Sequence, residues 1–362
     1  MAESPLSRKR LQSLVQFQER SAGIASPPAP SPERSRSRSG DAPAVAKPGV
    51  RPVLPKKPSD SALVILVGPT AVGKTAISIP LAEQLNAEII SADSRCLYRG
   101  MDIGTAKPGP AERVRVPHHL IDVTDPDQPW TLAQFQSAAL DVIRDLHARG
   151  KLPLLVGGTG QYVRAVTEGW QVPTGEPSAE LRAELEAELK RGGIKALAAR
   201  LREVDPASAA QVDVRNPRRV IRALEVALTT GESFVAQRRK TPPPFNIITI
   251  GLTLPRPELY ARVDARIEAM LTAGLVDEVK QLVARGYAWG LPALSALGYQ
   301  QMGEYVRGEC DLPEAVRRIK RATRVFVRRQ ANWFKPTDPA IRWFDARAPV
   351  DEITSHIRER VG

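Results

Sequence analysis

A glycine-rich segment of the chain has the residue types needed to hold a diphosphate group. Residues 68–75 read GPTAVGKT and match the nucleotide- and ATP-binding pattern G-x-x-x-x-G-K-[ST], between an apolar run and a helical pattern. Backbone N–H groups of such a loop and the positive end of the following helix would surround phosphate oxygens. The lysine adds charge, and the threonine hydroxyl can ligate Mg²⁺. The predicted phosphate-binding residues are Gly68, Pro69, Thr70, Ala71, Val72, Gly73, Lys74 and Thr75, and Thr75 is also the predicted magnesium ligand.

A carboxylate follows the next short apolar run. Residues 87–91 read AEIIS, and Asp93 comes two positions later. Ligands of open α/β folds bind at the carboxyl ends of the strands, so we expect Asp93 near the phosphate loop, where it can accept a proton from a nucleophile. The spacing equally allows Asp93 to cap the N-terminus of a helix, or to contact the ligands of a bound magnesium ion without contacting the ion itself. Asp102 and Asp122 are weaker candidates for the same role.

The apolar run at residues 152–156 ends in glycine rather than in an acid. The sequence continues as GGTG at 157–160. A motor-type ATPase would carry a metal-orienting acid after such a strand. The pattern therefore disfavours nucleotide hydrolysis and favours a reaction in which the loop holds a diphosphate for another transfer.

These segments belong to an alternation of strand and helix patterns. Residues 62–67 form a continuous apolar run typical of a buried parallel strand, and the composition changes abruptly where the run begins. The alternation predicts an α/β fold, a P-loop core with a doubly wound parallel sheet. The predicted strands are 62–67, 87–91, 152–156 and 246–254, the predicted helices include 74–85 and 132–149, and residues after 254 are predicted to be mainly helical.

The chain divides into three predicted regions. Residues 1–60 contain ten Pro, eleven Lys or Arg and five acids, a composition that predicts a disordered basic tail. Residues 177–229 show an almost wholly helical, charged pattern without a strand. We therefore predict a core domain made of 61–171 and 246–362, interrupted by a helical insertion domain at 172–245.

Composition restricts the class of protein. The 362 residues include two cysteines, Cys96 and Cys310, too few for a disulfide framework or a four-cysteine zinc cluster. The chain has neither the apolar run of a membrane-spanning helix nor that of a secretory signal, so we expect a cytoplasmic protein without a membrane partner. A net charge of +12 favours an anionic partner, either nucleic acid or phosphorylated small molecules.

Much of the basic charge outside the tail lies in one segment. Residues 317–329 contain seven Lys or Arg and no acid. At helical spacing, one face carries a basic stripe suited to RNA phosphates, although a merely solvated charged face would read the same way. The predicted basic face is Arg317, Arg321, Arg324 and Arg328, and the predicted packing stripe is Val316, Ile319, Thr323 and Phe326.

Taken together, the motifs resemble those of the bacterial tRNA dimethylallyltransferase family, also called IPP transferases. The resemblance rests on residues 68–75, 93–94, 98–108 (YRGMDIGTAKP), 118–122 (HHLID), 157–162, 216–225 (NPRRVIRALE), 296–299 (ALGY) and 328–334 (RRQANWF). It implies transfer of a dimethylallyl group from dimethylallyl diphosphate to the exocyclic amine of the adenosine 3′ of the anticodon, in tRNAs reading codons that begin with U. It also implies Mg²⁺ as cofactor, and the tRNA anticodon stem-loop and dimethylallyl diphosphate as partners of a chain that we expect to be a monomer.

The resemblance also assigns roles to single residues. It makes Asp93 the general base toward the adenine amine and places Arg222 near the diphosphate. Many relatives carry Gln two positions after the serine, whereas this chain has Arg95-Cys96-Leu97, which puts the neighbouring base contacts in doubt. The residues that it places at the tRNA are Asp93, Ser94, Arg95, Cys96, Thr159, Arg182, Arg218, Arg219, Gly298 and Tyr299.

Three other functions share part of this pattern. A small-molecule kinase would use the same phosphate loop but would need ATP and an acceptor alcohol. An isopentenyltransferase acting on free nucleotides would share both the loop and the base, and would leave the basic segment without a purpose. A GTPase or ATPase switch is disfavoured because no guanine-recognition motif of the Asn-Lys-x-Asp type is present.

Overall fold

One parallel sheet of six strands forms the centre of the protein. The computed structural model describes residues 61–173 and 178–361, so the predicted tail at 1–60 lies outside the described residues. The strand order is β3-β2-β4-β1-β5-β6, and all neighbouring strands are parallel. The strands are β1 (Ala62–Val67), β2 (Ala87–Ser91), β3 (His118–His119), β4 (Leu152–Gly157), β5 (Asn246–Thr253) and β6 (Ile341–Asp345).

Helices connect the strands and cover both faces of the sheet. In the first part of the core they are α1 (Lys74–Leu85), α2 (Pro110–Arg115), α3 (Leu132–Ala148) and α4 (Gly160–Thr167). The insertion contains α5 (Ala179–Val204), α6 (Pro206–Gln211), α7 (Pro217–Thr230) and α8 (Phe234–Gln237). The second part of the core adds α9 (Arg256–Thr272), α10 (Leu275–Ala284), a 3₁₀ turn (Ala293–Ser295), α11 (Tyr299–Val306), α12 (Leu312–Gln330) and α13 (Val350–Val361).

The sheet is buried on both sides, as a doubly wound fold requires. Alternate residues of β1 point to opposite faces, so Val64 and Leu66 pack in one hydrophobic cluster and Leu63 and Ile65 in another. The first cluster takes in side chains of α1, α9 and α13, and the second those of α3 and α4. The predicted α/β fold is confirmed, and four of its predicted strands lie within one residue of the observed bounds.

The strand order decides which loops meet at the carboxyl edge. Strand β4 pairs with β1 on one side and with β2 on the other, so β4 separates the two strands that precede the phosphate loop and Asp93. The loop after β4 therefore lies between these two segments. Three loops that are distant in sequence converge at one edge of the sheet, which is where ligands bind in such folds.

The predicted helical insertion is present and has a hydrophobic cluster of its own. Leu185, Leu201 and Leu224 are fully buried in it, on α5 and α7. The two connections to the core pair side by side, since Gln171 N–H donates to Arg239 O at 2.8 Å. The predicted domain bounds at 172 and 245 stay a prediction.

Residues after 254 are mainly helical, as predicted, and one further strand, β6, extends the sheet beside β5. The predicted packing stripe of α12 is wrong at one position. Phe326 does not belong to the packed side of α12, since its surface is 38% exposed, whereas Ala315, Ile319 and Val327 are buried. Helical periodicity places Phe326 on the same face of α12 as Ile319, but only the tertiary structure shows that the described residues leave Phe326 partly exposed near the end of the helix.

The helices of the described residues lack the features of membrane spans. Within 61–173 and 178–361, none combines the length and the apolar character that crossing a membrane requires.

Candidate active site

The phosphate loop, residues 68–75, turns from the end of β1 into the start of α1. Gly68 has φ +155°, and a Cβ there would lie 2.8 Å from the carbonyl oxygen of Leu252 on β5, so a side chain would collide with the sheet. The Lys74 ammonium folds back over the loop and donates to Gly68 O at 3.0 Å and to Pro69 O at 2.9 Å. The loop thus holds its lysine at the place where phosphate oxygens would be bound.

Lys74 lies in an unusual electrostatic environment. Burial, followed by the positive charge of Arg266, lowers the pKa of Lys74 to about 8, while the carboxylate of Asp93 acts in the opposite direction. Burial also lowers the pKa of Arg266, against the effect of Asp93. Lys74, Arg266 and Asp93 therefore form one group of interacting charges, with two cations for one anion.

Arg266 is a site residue that sequence reasoning missed. It lies on α9, four residues after Arg262, so both arginines project from one side of that helix. Arg262 donates to the carbonyl oxygen of Val72 at 3.3 Å, and Arg266 donates to that of Thr105 at 3.5 Å. No carboxylate among the described residues forms an ion pair with Arg266, so its charge is available to an anionic ligand. The i, i+4 spacing of arginines after a strand was the signal present in the sequence.

Asp93 combines a structural contact with a free oxygen. Its Oδ1 accepts a hydrogen bond from the backbone N–H of Arg95 at 2.8 Å and closes a turn after β2. Within the described residues, its Oδ2 accepts no hydrogen bond. Asp93 therefore holds its own segment in place and still presents an oxygen that can accept a proton.

The two weaker candidates, Asp102 and Asp122, both form ion pairs within the protein. The Lys107 ammonium, whose side chain is 1% exposed, contacts Asp102 Oδ1 at 2.5 Å and Asp122 Oδ1 at 2.6 Å. Burial alone would raise the pKa of Asp122, but hydrogen bonds from Lys107 and Arg113 hold it below its usual range. A carboxylate held in its charged form in this way is a poor proton acceptor, which favours Asp93.

The neighbours of Asp93 link it to two other segments. Ser94 N–H donates to the hydroxyl of Thr159, in the loop after β4, at 3.2 Å. Arg95 reaches the turn before α11, where it donates to Pro292 O at 2.7 Å and approaches Ser295 Oγ at 3.4 Å. The structure thus brings Asp93, Ser94, Arg95 and Thr159 together beside the phosphate loop.

Three residues assigned to the tRNA by resemblance are enclosed. Cys96 is 5% exposed and Tyr299 is 1% exposed, and Gly298 is buried as well. Burial raises the pKa of the Cys96 thiol, so this cysteine is not a reactive thiolate. A direct contact of the Cys96 or Tyr299 side chain with RNA is not supported by this geometry, because neither side chain reaches the surface.

The arginines of the insertion differ in their surroundings. Arg218 and Arg219 are exposed at the start of α7, as an RNA contact requires. Arg182 is paired with the fully buried carboxylate of Glu225, at 2.6 and 3.0 Å. Arg222 donates to Pro173 O at 3.2 Å and lies 3.6 Å from the carboxylate of Glu225. These contacts hold Arg222 within the insertion, beside the segment that connects the insertion to the core. Its predicted role at the diphosphate stays a prediction.

Thr75 fits the predicted magnesium ligand. It stands in the first turn of α1, is partly exposed, and its hydroxyl has no hydrogen-bond partner among the described residues. In the same part of the chain, no cluster of three or more His, Cys, Asp or Glu side chains could hold a metal ion. Mg²⁺ commonly keeps water ligands and binds through substrate phosphates and one or two side chains, so a lone threonine hydroxyl suits it.

Helix α12 carries the predicted basic face. Arg317, Lys320, Arg321, Arg324 and Arg328 line one shallow depression on its surface. Lys320 is paired with Glu268 and Arg324 with Asp264, each at 2.6 Å. Arg321 and Arg328 are exposed and have no ion pair within the described residues. Part of the face is thus neutralised by the protein, and Arg321 and Arg328 keep their charge free.

Comparison with known proteins identifies relatives over most of the chain. The family model of IPP transferase matches residues 96–337. A tRNA dimethylallyltransferase of Roseiflexus sp. (strain RS-1) is 56% identical over 273 residues, which are 75% of this chain and 90% of the relative.

Solved structures give the same result. The full-length tRNA isopentenylpyrophosphate transferase of Bacillus halodurans is 42% identical with a TM-score of 0.63, covering 83% of this chain and 97% of that one. A eukaryotic dimethylallyltransferase acting on tRNA has a TM-score of 0.70 at 26% identity, covering 83% of this chain and 77% of that one. The resemblance predicted from the motifs, and the transferase class that it implies, are confirmed. The chain belongs to the IPP transferase family.

Proposed function

We propose that this protein transfers a dimethylallyl group from dimethylallyl diphosphate to the exocyclic amine of the adenosine 3′ of the anticodon, in tRNAs reading codons that begin with U. The observation that carries the proposal is the group of charges at the carboxyl edge of the sheet. Lys74 and Arg266 are suited to an anionic leaving group, and the free oxygen of Asp93 is suited to a proton. The names of the relatives supply the substrate class.

The phosphate loop would hold the leaving group. As the bond between the allylic carbon and the diphosphate oxygen breaks, negative charge accumulates on the diphosphate. Lys74 and Arg266 would stabilise this charge, and preorganised charge is a large contribution to catalysis. Bound Mg²⁺ would supply further positive charge to the phosphate oxygens, with the Thr75 hydroxyl among its ligands.

Asp93 would act on the nucleophile. The adenine amine is weakly basic, so its position against the allylic carbon and the removal of its proton should dominate the rate. The nitrogen forms the new bond to the allylic carbon, and one of its protons passes to Asp93 Oδ2. Asp93 Oδ1 stays bonded to Arg95 N–H, which fixes the direction of the carboxylate.

The RNA would lie across two exposed basic surfaces. One contains Arg218 and Arg219 on the insertion, and the other contains Arg321 and Arg328 on α12. An adenosine in an anticodon loop must leave its stack to reach Asp93, and phosphate contacts at both surfaces would offset that cost. A free nucleotide would use neither surface, which disfavours a free-nucleotide acceptor.

The direct test is a product analysis. The purified protein is incubated with Mg²⁺, dimethylallyl diphosphate and unmodified tRNA whose anticodon is followed by adenosines, and the digested RNA is examined for prenylated adenosine by mass. We expect prenylated adenosine in the tRNA and unmodified AMP in a parallel reaction. Prenylated AMP would indicate a free-nucleotide enzyme, and ATP consumption without prenylation would indicate a kinase.

Magnesium as cofactor, a monomeric state and a cytoplasmic location stay predictions.

A further inference from the structure

A glutamine at the end of α12 joins two of the three loops at the site. The side-chain oxygen of Gln330 accepts a hydrogen bond from the backbone N–H of Thr70 in the phosphate loop, at 2.8 Å. Its side-chain nitrogen donates to the carbonyl oxygen of Gly158, in the loop after β4, at 3.1 Å. One amide thus bridges loops that follow two neighbouring strands.

The bridge is enclosed and closely fitted. Gln330 is 5% exposed, so water does not compete with its two hydrogen bonds. A Cβ at position 158 would lie 2.3 Å from the Gln330 nitrogen, and one at position 160 would lie 2.2 Å from the ring of Trp333. Both glycines allow the end of α12 and the residues just after it to dock against this loop.

The same loop is bonded to the Asp93 segment on its other side. Thr159, next to Gly158, accepts the hydrogen bond from Ser94 N–H at 3.2 Å. Thr159 N–H also donates to Ala92 O at 3.3 Å, directly before Asp93. A continuous chain of hydrogen bonds therefore runs from the phosphate loop through Gln330 and the loop after β4 to the segment of the proposed base.

We propose that Gln330 is a positioning residue that sets the spacing between the diphosphate held by the phosphate loop and the carboxylate of Asp93. This inference rests on the proposed transfer reaction, because that reaction needs the attacking nitrogen at a defined distance and direction from the allylic carbon. A misplacement of about 1 Å can cost about a hundredfold in rate. An amide suits the role because it accepts from one loop and donates to the other at the same time.

Two substitutions separate the bridge from simple packing. Gln330→Met keeps the volume of the side chain and removes both hydrogen bonds. Gln330→Glu keeps the shape, and a protonated carboxyl group still accepts from Thr70 N–H and donates to Gly158 O, whereas a carboxylate cannot donate. Burial raises the pKa of such a carboxyl group, so lowering the pH favours its protonated form.

The experiment measures kcat/KM for dimethylallyl diphosphate from about pH 6 to about pH 8. At each pH, the kcat/KM of a variant is divided by that of the unsubstituted protein, and this quotient is the ratio compared below. We expect the kcat/KM of Gln330→Met to be about 10–100-fold lower than that of the unsubstituted protein at every pH, and its tRNA affinity to be unchanged. The ratio for Gln330→Glu should rise severalfold as the pH falls. A merely structural role would give no such pH-dependent recovery.

Two results would overturn the proposal. Near-normal kcat/KM in Gln330→Met would mean that the bridge is dispensable, and that any effect of the introduced carboxylate is repulsion of the diphosphate. A ratio for Gln330→Glu that does not change with pH would mean that the two hydrogen bonds do not matter. If the unsubstituted protein prenylates no tRNA, the proposed function fails instead, and the affinity of the same variants for inorganic diphosphate still reports whether Gln330 holds the phosphate loop.

Discussion

The hydroxyl of Tyr299 donates a hydrogen bond to the carboxylate of Glu278 over 2.5 Å, beneath the loop at 98–108. The same carboxylate accepts hydrogen bonds from the backbone N–H groups of Asp102, Ile103 and Gly104, at 2.8 to 3.1 Å. Gly104 passes so close to the Tyr299 ring that a Cβ there would lie 2.4 Å from it. Tyr299 therefore braces this loop from inside the protein.

Replacement of Tyr299 by Phe should consequently affect stability more than RNA binding. The change removes a hydrogen bond to a charged group, which costs about 1–3 kcal/mol of unfolding free energy. Chemical denaturation measures that loss, and tRNA affinity at a temperature where the variant is folded should be close to normal. Weakened tRNA binding with unchanged stability would show that Tyr299 contacts the RNA after all.

Asp93→Asn tests the proposed base with little structural change. The asparagine oxygen can still accept the Arg95 N–H, so the turn after β2 should persist. We expect turnover to fall by about 10²–10⁴-fold, because an amide does not accept the proton, while tRNA affinity stays nearly unchanged. Single-turnover prenylation and equilibrium tRNA binding are the two measurements. Asp102→Asn is the matched control, and if it rather than Asp93→Asn abolished turnover, the base would be misassigned.

The lowered pKa of Lys74 predicts a pH dependence of diphosphate binding. The protonated amine attracts the anion, and the protonated fraction in the free protein falls as the pH rises through about 8. Because a bound anion raises the pKa of the amine, binding takes up a proton, and affinity should fall by up to about tenfold per pH unit above that value. Titration calorimetry with inorganic diphosphate measures this slope. Lys74→Arg, whose guanidinium stays charged, should lose the slope, and an equal slope in both proteins would assign it to another group.

Arg266 should contribute to the diphosphate step and not to RNA binding. Arg266→Met removes the second cation beside Lys74 and leaves a side chain of similar length on α9. We expect kcat/KM for dimethylallyl diphosphate to fall by about 10²–10³-fold, the range found for loss of one group that stabilises developing charge. Steady-state kinetics at saturating tRNA provides the value. Arg256→Met, at the exposed start of the same helix, is the control, and equal effects of the two substitutions would exclude a specific role for Arg266.

The unpaired arginines of α12 should account for part of the salt dependence of tRNA binding. With Arg321 and Arg328 both replaced by Ala, we expect the slope of log affinity against log salt to decrease by about 1.5, since two phosphate contacts are lost. Binding measured at several salt concentrations gives the slope. Arg318→Ala on the same helix removes an arginine already paired with Glu304 and Glu314, and it should change the slope little. An unchanged slope in the double variant would place the RNA elsewhere.

Local features of the site could be predicted because they depend on neighbouring residues. The bounds of α1 and β2 follow from apolar runs and turn residues, and the phosphate loop follows from the glycines that its backbone requires. Asp93 was found because it stands just after a strand. The roles of Arg218, Arg219 and Arg222 came from family resemblance alone, because nothing in their spacing points to RNA or to a diphosphate.

Contacts between distant segments were beyond sequence reasoning. Thr70 and Gln330 are 260 positions apart in the sequence. Lys74 lies in a helix that precedes the insertion in the chain, and Arg266 lies in a helix that follows it. No periodicity records such pairs, because they depend on the order β2-β4-β1-β5 in the sheet. Tertiary packing also buries Tyr299, which the resemblance placed at the tRNA, and leaves Phe326 38% exposed, which the helical pattern placed on the packed face.

The sequence by itself determined the family, the α/β class, the phosphate loop and the candidate base, since each is encoded in a short segment with its own backbone or burial preference. The tertiary structure decided which cations face the phosphate loop, which carboxylates are already paired, and which residues brace the loops. The physical reason is that charge interactions and buried hydrogen bonds depend on distances in space, and these are fixed only when the strands have assembled into one sheet.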